Sequence, residues 1–193
     1  MNTITVDLSK YDHSFSLKNK LGRLVWNITY LLFFRPFTFR FFNPWRILIL
    51  KSFGAKLSWN ATVYASVQIW APWNLTMGAY SSLGPYVDCY NQGKISIGSN
   101  TAISQKSYLC ASSHDITDPK HNLILKPIFI EDQVWVAADA FIGPGVKLRQ
   151  GCVVGARSSV FQDVAPWTVV RGNPSIPIKN RAMKTHHPTT QAI

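Results

Sequence analysis

A six-residue period governs this chain between Leu57 and Ala165. Aliphatic residues keep it at Leu57, Val63, Ile69, Leu75 and Val87, with Ser81 the single misfit. After a four-residue slip it continues as Ile97, Ile103 and Leu109, and after a longer interruption as Ile130, Val136, Ile142, Leu148, Val154 and Val160. Four residues beyond most of these positions the side chain is small or β-branched, as at Ala61, Thr101, Val134, Ala140 and Ser158. A helix repeats about every 3.6 residues and a half-buried strand every two, so a period of six suits neither. It suits a β-solenoid in which each hexad makes a short strand and a bend, and three hexads close a triangular coil. The hexads over 57–92, 97–114 and 130–165 predict about five coils with the aliphatic residues stacked inside.

The fold class expected is therefore all-β, a parallel β-helix with a short α-helical N-terminal segment. Three divisions follow: a helical cap over 1–56, the β-helix over 57–165 with a loop excursion over 115–129, and a C-terminal tail over 166–193. The formal charge of +11 calls for an anionic partner, such as nucleic acid, a phosphorylated ligand or a membrane surface. Cys89, Cys110 and Cys152 are odd in number and lack the spacing of a metal site, which makes them small buried hydrophobes. The N-terminal residues show no secretory pattern, so a reducing cytoplasmic compartment is expected. No stretch reaches the ~18 apolar residues of a spanning helix.

Residues 1–16 read as a loosely fixed leader. From Leu17, apolar residues recur at helical spacing through Leu21, Leu24, Val25, Ile28, Leu31 and Leu32, until Pro36 ends the helix. A second helix is expected from an Asn43 N-cap with Pro44 at the first helical position, stopping at Gly54. The first 56 residues hold nine of the twenty Lys and Arg, two acids, and eight of the eleven Phe. Such a segment either caps the open end of the solenoid or caps it and also touches a membrane surface. No nucleic-acid module is recognisable, so nucleic acid is not the expected partner.

A regular solenoid needs no insertions, and those that occur tend to mark the functional face. One lies around Asn91–Lys94, and the larger one leaves directly after His114. A neutral imidazole at that corner can take a proton from an alcohol near neutral pH. On spacing alone, a plain hydrogen-bonded surface histidine is an equal reading. His13, His186 and His187 lie in the tails and His121 in the loop, so no three or four ligands converge for zinc.

The hexad run, the excursion after "CASSHD" (Cys110–Asp115), "VWVAADAFIGPGVKL" (Val134–Leu148), "VVGARSSV" (Val153–Val160) and "VVRGNP" (Val169–Pro174) resemble the hexapeptide-repeat acetyltransferases. "PWRILILKSFGAKL", "APWNLTMG", "VDCYN" and "ISQKSYLCASSHD" are similar to the colanic acid biosynthesis acetyltransferase family. The resemblance implies a left-handed β-helix, against the usual right-handed crossover. It also implies a homotrimer with the co-substrate acetyl-CoA held between subunits; from the histidine positions, no metal is expected. His114 matches the family's catalytic histidine, which deprotonates a sugar hydroxyl that attacks the thioester. Ala138 and Ala156 match small residues beside the pantetheine arm, although ordinary corner packing explains them equally. Arg171 matches a residue near the cofactor, while Lys179 or Arg181 would meet a CoA phosphate. Trp135 would wall the same slot, or pack in a core or interface.

The acceptor side departs from the galactoside and maltose acetyltransferases, which carry an Asn and an Asp where this chain has Gly84 and Gln92. Asp88, Tyr90 and Asn91 are the remaining candidates for acceptor contact; Asp88 would otherwise orient the histidine or solvate a corner. The function expected is O-acetyl transfer to a sugar or lipid-linked saccharide in bacterial polysaccharide biosynthesis, in the cytoplasm, with peripheral membrane contact as the open possibility. The rival is a non-catalytic structural or ligand-binding solenoid.

Overall fold

The computed structural model describes residues 5–11 and 15–184. Its body is a prism with three parallel faces. The first face stacks Lys56–Leu57, Leu75–Met77, Ile95–Ile97, Ile128–Ile130 and Lys147–Leu148. The second stacks Thr62–Val63, Ser82–Leu83, Ala102–Ile103, Trp135–Val136, Val153–Val154 and Thr168–Arg171. The third stacks Gln68–Ile69, Asp88–Tyr90, Tyr108–Cys110, Phe141–Ile142 and Ser159–Val160. Five coils are complete, and Thr168–Arg171 with the bridge from Leu148 to Val164 begins a sixth, one more than the hexad count anticipates.

Register corrects the frame read from the sequence. Leu57 aligns with Met77, Ile97, Ile130 and Leu148. Val63 aligns with Leu83, Ile103, Val136, Val154 and Val170, and Ile69 with Cys89, Leu109, Ile142 and Val160. Thus Met77 and Leu83, not Leu75 and Ser81, continue the ladders. A single tight turn at Pro72–Asn74 lengthens the first coil by two residues and shifts the frame there. Ser81 and Val87 are buried at corners instead, with Ser81 Oγ donating to the Gly78 carbonyl at 2.7 Å. Each fully buried aliphatic side chain contributes about 1.5–3 kcal/mol, so three continuous ladders account for most of the cohesion of the prism. Cys89 and Cys152 lie inside it, and burial pushes the Cys152 thiol up to about 12.

Helix α1 (Leu17–Thr29) is capped by Ser16 and runs into a wider turn at Tyr30–Phe34. Its packed side is an aromatic row: Trp26 and Phe34 are buried, Tyr30 packs beside them, and Trp26 Nε1 donates to the Ile69 carbonyl at 2.7 Å. The aliphatic stripe expected to pack faces outward, with Leu17 83 %, Leu21 63 % and Ile28 51 % exposed. Aromatic rings bury more area per residue and Trp26 also satisfies a backbone acceptor, so the aromatic row takes the core side. Helix α2 (Asn43–Ser52) covers the first coil. Asn43 is its first residue rather than a cap, and its amide clamps the helix to Ala61 and Val63. The C-terminal segment, read from the sequence only as a tail, includes a strand, Ile176–Asn180, antiparallel to Thr168–Arg171.

Candidate active site

All three lengthened corners lie on one edge of the prism, where the third face passes to the first. They are the Pro72–Asn74 turn, the Asn91–Lys94 corner and the long excursion. His114 stands there, at the end of Ser112–His114, a strand that pairs antiparallel with Leu123–Leu125. The excursion is therefore a hairpin rather than a free loop. Its tip brings the His121 carbonyl oxygen 2.6 Å from His114 Nδ1. A carbonyl only accepts, so Nδ1 carries the proton and Nε2 of the neutral ring keeps the lone pair.

Asp115 does not support the imidazole. Its carboxylate accepts from the backbone and hydroxyl of Thr117, which holds it below the usual carboxylate range. The leader is not loose where it is described: Asp7 N donates to Pro119 O at 2.9 Å, and the Tyr11 ring lies 5.7 Å from that of His114. Neither Tyr11 nor the His121 carbonyl was legible as a site component, because each reaches the histidine through folding of a distant or backbone group. His13, His186 and His187 fall outside the described residues.

The expected cofactor residues lie elsewhere. Ala138 and Ala156 stack one coil apart on the edge between the second and third faces, linked by Arg157 N to Ala138 O at 2.9 Å. Arg171 reaches the same edge one coil on, with its side chain close over Gly155. Lys106 and Arg157 turn out of this edge at positive φ, two cations that sequence reasoning passed over. Trp135 is half-exposed on the adjoining second face, its Nε1 donating to Ser104 Oγ at 3.1 Å. Lys179 is exposed on the outer antiparallel strand, opposite Val169. Arg181 is not on this edge. Its Nη1 donates to Gln133 O at 2.7 Å and Gly151 O at 3.0 Å, on the edge between the first and second faces.

Of the acceptor candidates, Asp88 and Tyr90 lie half-buried on the outside of the third face. Burial raises both their pKa values, and Gln92 Nε2 donates to the Tyr90 hydroxyl at 2.7 Å. Asn91 is fully buried. Its amide donates to Ala71 O at 2.6 Å and accepts from Ala71 N at 2.9 Å, so it clamps a corner and offers nothing to a ligand. A single chain thus places the histidine on one edge and the small-residue column on another, with the third face between them. Among the described residues no three His, Cys, Asp or Glu side chains converge as a metal site.

No family model matches the chain. Over 137 residues it is 45 % identical to a protein of Escherichia coli (strain K12) named for colanic acid biosynthesis acetyltransferase, WcaF, covering 71 % of this chain and 75 % of that one. Among solved structures it is similar to a maltose O-acetyltransferase of Clostridium difficile, with TM-score 0.76 and 23 % identity over 87 % of this chain and 90 % of the other. It is also similar to a hexapeptide-repeat acetyltransferase of Vibrio cholerae in complex with acetyl-CoA, with TM-score 0.78 and 22 % identity over 89 % and 93 %. At those identities the structural likeness speaks to the fold alone.

Proposed function

This chain belongs to the colanic acid biosynthesis acetyltransferase family, and from that membership we propose that it moves an acetyl group from acetyl-CoA to a hydroxyl of a bacterial polysaccharide sugar or its lipid-linked precursor. The observation that carries the reading is the 2.6 Å contact of His114 Nδ1 with the His121 carbonyl oxygen, which would leave Nε2 as the base. Nε2 takes the hydroxyl proton as the sugar oxygen bonds to the thioester carbonyl carbon. The carbon–sulfur bond then breaks, and the imidazolium returns its proton to the departing thiolate. The column of Ala138, Gly155 and Ala156 leaves room for a slender chain along that edge. Arg157, Arg171 and Lys106 supply charge for phosphates, and Trp135 with Lys179 flanks the slot.

Because the base and the small-residue column occupy different edges, a site holding both is best assembled where two copies meet. A trimer would set the His114 edge of one copy against the Ala138 edge of the next. Asp88 and Tyr90, on the face between, are then placed for the acceptor. Incubating the protein with acetyl-CoA and candidate nucleotide sugars or lipid-linked saccharides, followed by mass spectrometry, tests the reading. A product heavier by one acetyl group supports it; CoA binding with no transfer to any of them favours a non-catalytic solenoid.

We further propose a cytoplasmic enzyme that rests against the inner membrane surface. The outward stripe of α1 continues into exposed Leu31, Leu32, Phe33, Phe39 and Phe41. Lys18, Lys20, Arg35 and Arg40 accompany it, and no Asp or Glu occurs between Asp12 and Asp88. Exposed apolar residues framed by cations suit an anionic bilayer interface. Among the described residues no helix is long and apolar enough to cross a membrane.

A further inference from the structure

Two arginines of the N-terminal helices are withdrawn from solvent, Arg46 almost wholly and Arg23 in part, and they differ in one respect. Arg46 directs its guanidinium to the carbonyls of Val63, Phe37 and Phe39. Arg23 lies 3.7 Å over the Trp70 ring, yet its Nε is buried without a partner. Among the described residues it forms no ion pair. Burying even one N–H of a guanidinium without an acceptor is costly, so such a group is retained most readily where a ligand completes it.

Arg23 borders a cleft of about 430 Å³ between α1 and the third face, lined also by Tyr30, Arg35, Gln68, Asp88 and Tyr90. That volume falls within the range of small-ligand sites. Arg23 and Arg35 come from the helical wall, and Asp88 and Gln68 from the strand wall. Among the described residues neither arginine forms an ion pair with Asp88 or with any other carboxylate. Tyr90 on its wall ends the strand Asp88–Tyr90 of the third face, which runs to the edge that carries His114.

We infer that this cleft binds the acidic group of an anionic saccharide, with Arg23 and Arg35 holding a phosphate or carboxylate and Asp88 and Gln68 meeting sugar hydroxyls. The inference rests on the reading of the chain as a saccharide acetyltransferase and names its acceptor class. Guanidinium groups suit both anions because two parallel N–H donors match two oxygens. Neutral sugars lack the group that the cleft is built to complete.

The test follows the Trp70 indole N–H signal of the ¹⁵N-labelled full chain, assigned through Trp70→Phe, during titration with glucose 1-phosphate, glucuronate and glucose. A saturable shift with an anion and none with glucose is expected. Response to the phosphate points to a phosphorylated or diphosphate-linked acceptor, and response to the carboxylate to a uronate. Arg23→Gln, and separately the more exposed Arg35→Gln, should weaken the response at least about tenfold. Thermal stabilisation by acetyl-CoA should be retained in both variants. Equal shifts with glucose, no shift with either anion, or an unchanged anion response in both variants overturns the inference. Loss of acetyl-CoA stabilisation in the unmodified protein would instead strike the acetyltransferase reading.

Discussion

Asn91 forms a closed pair of hydrogen bonds with Ala71, giving its amide proton to the carbonyl at 2.6 Å and taking the backbone N–H at 2.9 Å. It thereby substitutes for a ladder partner at a corner where the coil is two residues long of the plain repeat. Asn91→Ala leaves the buried Ala71 N–H unsatisfied, while the Ala71 carbonyl keeps its bond from Asn74 N, and should cost about 1–3 kcal/mol. Urea denaturation is the check, and the folded variant should keep its acceptor KM. A stable variant with a raised acceptor KM would return Asn91 to the binding site.

Arg181 and Arg171 separate in the same way. Arg181 ties the C-terminal segment to the Gln133 and Gly151 carbonyls, whereas Arg171 lies open beside the Ala156 edge. Arg181→Ala should lower stability by about 1–3 kcal/mol with little change in KM for acetyl-CoA. Arg171→Ala should do the reverse, raising that KM several-fold at nearly constant melting temperature. Matching kinetic losses in both variants would show that the two cations serve one site.

How much of this was legible in the sequence depended on which interactions are periodic. Interior ladders are, and so the solenoid was readable from Leu57 to Val160. The misfit at Ser81 was the visible trace of a frame shift, but a six-residue template assigns it to a defect, because a two-residue corner insertion leaves the next aliphatic residues nearly in phase. The face that α1 buries was not readable. Its aliphatic stripe has the stronger periodicity, while Trp26, Tyr30 and Phe34 take the core through ring area and one indole hydrogen bond. His114 could be singled out by its place before the excursion. The His121 carbonyl that orients it carries no side-chain signature at all.

Asp88 offers a pH-dependent signature. Burial raises its pKa above the ordinary 3.8, so the folded chain holds this proton more tightly than the unfolded chain does. Stability associated with the group is present at low pH and is lost as pH rises through the folded value. Asp88→Asn should therefore raise the melting temperature at pH 7, give no gain at pH 3.5 and below, and weaken acceptor use. An unchanged melting temperature at pH 7 would contradict this assignment of strain to the carboxylate.

The outward stripe of α1 predicts salt-sensitive sedimentation with anionic vesicles. Cations near such a surface contribute about 1 kcal/mol each, and inserted apolar side chains add to that. Replacing Leu21, Leu24 and Ile28 together by Gln should abolish binding without altering the melting temperature, since all three are exposed. Sedimentation that is absent at low salt, or unaffected by the triple replacement, would remove the membrane from the account and leave the stripe to a neighbouring copy.

The central claim is that Nε2 of His114 is the base for acyl transfer, and steady-state acetylation of the true acceptor by His114→Ala tests it most directly. The account predicts a fall in kcat of about 10²–10⁴, with assembly size by light scattering and acetyl-CoA affinity retained. Turnover close to that of the unmodified protein, in a variant folded and assembled in the same way, would contradict it.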